Sequence, residues 1–259
     1  MRAFAGLAAD RGDLPAEDAQ FLAEVVDAIR RDPFIPAGRL ARRLYVSPSH
    51  LAHRFRAVAG MPPGALALGV RMQEAKRLLI DTRAPVLQVA LEVGYDSLGT
   101  FTSRFADLVG ASPGRFRARL DEAPVDPEPA IMAVADAAVT GRLTAPPGFT
   151  GVAFVGLFPS YLPAGPPASG AIARVPGAYR LGRCAPGWYR VMSAAFRAAP
   201  SAQDLLLSRA EAVGAGRLAV RVTSGGTAVC DVDLRPPAVG DPPVVVSLGL
   251  LGGARPGLG

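Results

Sequence analysis

The two histidines, His50 and His53, stand one helical turn apart, a spacing that could share a metal ion. No third ligand type accompanies them, so the better reading places His53 on a polar surface with His50 on its flank. Cys184 and Cys230 are the two cysteines. They cannot supply a zinc-finger or iron–sulfur set, and they make no disulfide framework. A thiol switch is conceivable, but two small buried residues in a β core is the favoured reading. No cysteine neighbours a histidine. No Ser/His/Asp set, Gly-rich phosphate loop or paired-carboxylate site stands in the second half. The expectation is therefore a protein that is not an enzyme, with no catalytic residue, no metal site and no cofactor.

The chemistry that remains is charge. The chain has 259 residues, 28 of them basic and 22 acidic, for a formal net charge of +6. Lys76 is the single lysine, and such an arginine bias fits a G+C-rich genome, so arginine content alone does not imply nucleic acid. Position does carry information. Between Ala37 and Arg119 there are 13 basic and 5 acidic residues, a net +8, so the rest of the chain sums to −2. A positive balance confined to one stretch is what a phosphate-binding surface requires. Candidate phosphate contacts are Arg39, Arg42, Arg54, Lys76, Arg77, Arg104 and Arg115, together with helix N-termini.

That basic stretch repeats itself. Ser47-Pro48-Ser49-His50-Leu51-Ala52-His53-Arg54-Phe55 is followed by Val58 and Gly60-Met61-Pro62-Pro63-Gly64. Fifty residues later stand Ser97-Leu98-Gly99-Thr100-Phe101-Thr102-Ser103-Arg104-Phe105, then Leu108 and Gly110-Ala111-Ser112-Pro113-Gly114. Short apolar helices precede each copy, through Leu40, Ala41 and Leu44, and through Val89, Ala90 and Val93. These are two helix-turn-helix units. Ala41 and Ala90 are small where helices cross. Tyr45-Val46 and Gly94-Tyr95 make the turns, and Gly94 can supply a positive φ. Ser47 and Ser97 suit the N-caps. On a helical wheel Leu51, Phe55 and Val58 face inward, leaving Ser49, His53 and Arg56 outward with Ala52 beside them. In the second copy Phe101, Phe105 and Leu108 face inward, and Gly99, Ser103 and Ala106 outward, flanked by Leu98, Thr100 and Thr102. A second helix with an exposed polar face is what a major groove accepts.

These residues resemble the AraC/XylS family of bacterial transcription regulators over roughly residues 17 to 120. The strongest part runs from Val89 to Ser97, then Phe101, Arg104-Phe105, Gly110 and Ser112-Pro113. Arg71 to Leu79 is similar to the family's linker helix. The resemblance implies sequence-specific binding of double-stranded DNA by two recognition helices in successive major-groove segments. It places base contacts at Ser49, Ala52, His53 and Arg56 in the first, and at Leu98, Gly99, Thr100 and Ser103 in the second. The family often carries arginine where Ser103 stands; here arginine is one place later, at Arg104. The family usually puts this unit last, whereas here it comes first. The second half resembles, more weakly, a transthyretin-like or carboxypeptidase-regulatory-like β-sandwich, through Ala185 to Val191 and Ala228 to Leu234.

The elements that must position these residues change in kind near residue 123. Glu17–Asp32 and Pro62–Asp81 carry helical periodicity. Five prolines lie between Ala123 and Gly148 around the apolar stretch Ile131–Val139, read as a connecting segment with a helical turn or more. Strands are expected at Val152–Phe158, Trp188–Met192, Leu218–Val222, Ala228–Leu234 and Val244–Leu250, with a hairpin turn at Ser224–Thr227 and a helix over Ala202–Val213. The fold class is an all-α double helix-turn-helix domain (17–122), a linker (123–147) and a β-sandwich (148–252). Burial is expected to be complete within each half, so that residues 1–122 would fold alone. No signal peptide or membrane span is read, and the cytoplasm is the expected compartment, with no membrane partner. Three roles stand open for the sandwich: binding a small-molecule effector, forming a homodimer, or contacting RNA polymerase.

Overall fold

The computed structural model describes residues 14–82, 84–120, 136–197, 200–216, 219–238 and 240–248. The first half is helical: α1 (Ala16–Arg31), α2 (Ala37–Arg43), α3 (Pro48–Ala59), α4 (Pro63–Asp81), α5 (Val86–Glu92), α6 (Leu98–Val109) and α7 (Pro113–Ala118). The fifty-residue repeat is repeated in local geometry. The Ser47 hydroxyl accepts from the His50 amide, and the Ser97 hydroxyl from the Thr100 amide. Gly60 and Gly110 close the two helices in the left-handed region, at φ 75° and 101°. Pro63 and Pro113 then start the next helix. Ala41 and Ala90 are fully buried at the crossings. Both turns use a positive φ, 56° at Tyr45 and 73° at Gly94.

Each unit has its own core. Leu51, Phe55 and Val58 pack with α1 and α2, as the wheel predicts. Phe101 and Phe105 pack with Val89, Ala90 and Phe116. Leu108 is only partly buried, and Val109 takes the deep position instead. The helix α4 runs unbroken through Gly69 and serves both cores.

The second half forms two sheets from β1 (Ala137–Thr144), β2 (Gly151–Phe158), β3 (Ser169–Val175), β4 (Gly177–Gly182), β5 (Gly187–Phe196), β6 (Ala212–Ala215), β7 (Val220–Val222), β8 (Ala228–Val229) and β9 (Val232–Asp233), with α8 (Ala202–Leu207) between β5 and β6. One sheet has β1 between antiparallel β4 and parallel β8 and β9. The other runs β3-β2-β5-β6, with β7 also on β5. Ala153, Val155 and Leu157 alternate toward the core shared by both sheets. Phe154 and Phe158 point the other way, where α8 and residues 244–248 cover them with Met192, Ala194 and Phe196. The central strands β2 and, from Val191 on, β5 are thus covered on both faces, which explains why that part of β5 is apolar nearly throughout.

Several expectations change. The β half begins at Ala137, inside the stretch read as linker, because β1 pairs on both edges; residues 121–135 lie outside the described residues. Ser224–Thr227 is not a hairpin turn: β7 joins one sheet and β8 the other. The alternation of Ala228–Leu234 is split into two short strands. The helix expected to Val213 stops at Leu207, where Ser208 turns left-handed at φ 53°, and Ala212 begins a strand. Residues 244–248 are not a strand, and 249–250 lie outside the described residues. They are spent on a seam.

Burial is not complete within each half. Leu162, Leu206 and Val245 enter the core of the second helix-turn-helix unit, and Tyr161 packs against the first. Amides of Gly165 and Ser247 donate to the carbonyls of Leu108 and Val109 at the end of α6 (2.6 and 3.0 Å). Gln73 Nε2 donates to the Val244 carbonyl at 2.7 Å. At Gly69 a Cβ would overlap Pro243, so glycine permits this close approach.

Candidate nucleic-acid interface

The outward faces of α3 and α6 are built by the same rule. A serine cap fixes the first turn, an aromatic ladder buries one face, and the opposite face is left to solvent. Ser49, His53 and Arg56 are exposed on α3, with Ala52 half-buried. Leu98, Gly99, Thr100 and Ser103 are exposed on α6. All eight residues that the sequence selected therefore lie on the free sides of these two helices, or beside them. The faces differ in reach. The first offers an imidazole and a guanidinium, the second one hydroxyl pair and no long polar arm. Thr100 Oγ1 is already held by the Ser97 hydroxyl at 2.8 Å.

The candidate phosphate contacts divide. Arg39, Arg42, Arg104 and Arg115 are exposed and make no side-chain hydrogen bond or ion pair among the described residues. Of the other three, Lys76 is corrected and Arg54 and Arg77 already have carboxylate partners. Lys76 is fully buried at the seam, where Nζ donates to the Ser208 hydroxyl (3.3 Å) and the carbonyls of Val244 and Val245 (3.5 and 3.3 Å). Burial without a carboxylate pushes its pKa down to about 7. Arg54 folds back on α1, with Asp18 at 2.9 Å and Glu17 at 3.3 Å, and lies over the Phe21 ring. Arg77 is held by Glu74 (2.7 Å) and Asp81 (3.2 Å); the same pairing holds the Glu74 carboxyl below its usual range. Helical periodicity reported where Lys76 and Arg54 leave the helix, but not that the β half and α1 would meet them there; the partners of Arg77 lie on α4 itself, three and four residues away.

Arg71 is the residue that sequence reasoning passed over. From α4 it donates to the carbonyls of Val93 and Gly94 (2.9 and 3.0 Å) at the turn of the second unit. Its guanidinium lies over the rings of Phe34, from the α1–α2 connection, and Tyr95. One side chain thus ties both units to the linker helix. Arg117 does similar work, donating to the carbonyls of Leu79 and Ala84.

The two cysteines lie in and beside the β core. Cys230 is buried in the core between the sheets, its carbonyl accepting from the Tyr179 hydroxyl, and burial pushes its thiol up. Cys184 is partly buried; both are free thiols. Tyr189 packs against that core and Trp188 is exposed. Among the described residues no group of three or more His, Cys, Asp or Glu could hold a metal ion, and no helix is long and apolar enough to cross a membrane.

Two capped helix-turn-helix units joined by one long helix, each presenting a solvent-facing second helix, define a double helix-turn-helix domain. Residues 40–119 match the family described as a helix-turn-helix domain. The chain is 37% identical over 83 residues to the arabinose operon regulatory protein of Escherichia coli, 32% of this chain and 28% of that one. It is 33% identical over 101 residues to the transcriptional regulator CdhR of Pseudomonas aeruginosa, 38% of this chain and 30% of that one. The matched stretch thus spans about three-tenths of the length of these relatives. A solved structure, the DNA-binding domain of AdpA in complex with a target DNA, aligns over 38% of this chain and 89% of its own, with 31% identity and a TM-score of 0.35.

Proposed function

We propose that the chain is a cytoplasmic transcription regulator that binds double-stranded DNA sequence-specifically, with α3 and α6 in successive major-groove segments. The β half then serves as an effector-binding domain. The observation that carries this reading is the repeat in three dimensions: two equally capped helices, each leaving the residues expected at base edges on its free side. Four exposed arginines without a side-chain partner, on α2, α6 and α7, are available for phosphates. The relatives' names as regulators support the same function. The effector role is supported by the seam, since the β half touches both units and the linker helix and so could alter how the two recognition helices are held.

The test is a binding-site selection with the full chain, followed by a salt titration on the selected duplex. A defined site under each recognition helix is expected. With Arg39, Arg42, Arg104 and Arg115 on phosphates, log K should fall against log salt with a slope of roughly −3 to −4. No enriched site, or a slope near zero, would overturn the reading.

A further inference from the structure

We propose that the cleft between α4 and the β half binds a small organic anion, a carboxylate on an apolar body, held between Arg71 and Arg209. This rests on the effector reading above and names its site and ligand class.

The cleft has a volume of about 600 Å³, the size that holds a small organic ligand. Its apolar walls include Leu66, Val70, Val93, Leu207 and Pro243. They come from α4, the turn after α5, α8 and the segment that follows the sheets, so an occupant touches both halves at once.

The charges in the cleft are unevenly matched. Two of its three carboxylates, Glu74 and Asp241, already hold a guanidinium, and the exposed Glu92 has the neutral amide of Gln88. Glu74 is bonded by Arg77 at 2.7 and 2.9 Å, Asp241 by Arg235 at 2.6 and 2.8 Å, and Glu92 accepts from Gln88 at 2.9 Å. Two guanidiniums on the lining have no carboxylate. Arg71 bonds only neutral carbonyls and rests on aromatic rings. Arg209, exposed just after α8, makes no side-chain hydrogen bond or ion pair among the described residues. One belongs to the helical half and the other to the β half. Arg71 spends Nε and Nη2 on those carbonyls and keeps Nη1 for an anion oxygen, while Arg209 offers its whole planar fork. The apolar walls decide for an organic acid over a bare inorganic ion.

Such a ligand would act where the two units are tied together. Arg71 holds the turn of the second unit through Val93 and Gly94, and Val93 itself lines the cleft. An anion on Arg71 that is also gripped by Arg209 couples that turn to the β half.

The experiment uses the full chain with 4-phenylbutyrate and octanoate as probes, and 4-phenylbutyramide and inorganic phosphate as controls. Binding is followed by calorimetry and thermal shift, and DNA affinity by fluorescence anisotropy on the selected duplex. Saturable binding of at least one carboxylate is expected, with none by the amide. Arg209→Gln should weaken it about tenfold or more. Val70→Phe should abolish it by filling the cleft, while both variants keep the unliganded melting temperature. DNA affinity should change about fivefold or more when the probe is bound. Binding of neither carboxylate, equal binding of the amide, or an unaffected Arg209→Gln would overturn the proposal. Inorganic phosphate binding as tightly as the carboxylates would overturn the apolar part of it. Specific DNA binding that ignores the probes would remove the cleft and leave the DNA-binding reading standing; absence of specific DNA binding would remove that reading whatever the cleft binds.

Discussion

The two helix-turn-helix units share caps, spacing and an aromatic ladder, yet they are equipped for different work. The first carries the long polar arms, His53 and Arg56, and meets the β half mainly through the partly buried Tyr161. The second presents Gly99, Thr100 and Ser103, short groups with little to say to a base edge. Its core, however, admits Leu162, Leu206 and Val245, and its recognition helix ends on amides from the β half. The unit best furnished for readout is least held, and the unit most held is least furnished. The same scaffold stands twice, and packing against the β half constrains one copy.

The largest expected effect separates the two turns. At Gly94 a Cβ would strike the Phe34 ring, and φ is positive. Gly94→Ala should cost about 3–5 kcal/mol in chemical denaturation, because the clash adds to the backbone strain. Tyr45 occupies the matching turn with its side chain almost fully exposed, so Tyr45→Gly should change stability by no more than about 1 kcal/mol. Equal costs at the two positions would break the contrast.

Next comes the grip of the β half. Leu162→Ala should lose about 2–4 kcal/mol, since it opens a cavity in the second unit's core. Native-state hydrogen exchange should then quicken for amides of α6 more than for those of α3. Equal acceleration in both helices would mean that the seam holds the units alike.

Readout gives a smaller effect, of opposite bias. His53→Ala or Arg56→Ala should weaken specific binding by about 1–3 kcal/mol or relax base preference under the first helix. Ser103→Ala should act uniformly across sequences. A selection that yields sharper preference under α6 than under α3 would reverse the assignment.

The last effect concerns Lys76. Its pKa is lowered to about 7 in the folded chain and returns to its ordinary value on unfolding. Between those values the unfolded chain holds more protons, so stability rises with pH across that window and is least below pH 7. Lys76→Met removes the buried amine. Its stability advantage over the parent should shrink as pH goes from about 6.5 to 9, read as a difference in melting temperature. The raised Tyr179 hydroxyl and Cys230 thiol are common to both proteins and cancel. A constant difference across that range would mean that the amine is solvated.

The legible part of this molecule is the part written in neighbouring residues. Caps, turns, the fifty-residue repeat and the free faces of α3 and α6 each depend on groups within one or two helical turns. Ser47, Gly94 and His53 could therefore be placed from sequence. β2 and β5 were visible because apolar runs bounded by turn residues mark buried strands. β1 was not, because it sits among prolines and its partners are about forty and ninety residues away. The pairing of β7 and β8 with different sheets was hidden for the same reason, since alternation does not name a neighbour.

What the tertiary structure alone decided is the seam. Whether an arginine or lysine on a helix meets phosphate, a carboxylate or a carbonyl depends on what packs opposite it. For Lys76 the partners lie more than 130 residues away, and for Arg54 on another helix 36 residues back. Charge and periodicity state that a side chain leaves the helix. Only the folded chain, by bringing residues 243–247 against Gly69 and Lys76, determined whether it reaches solvent.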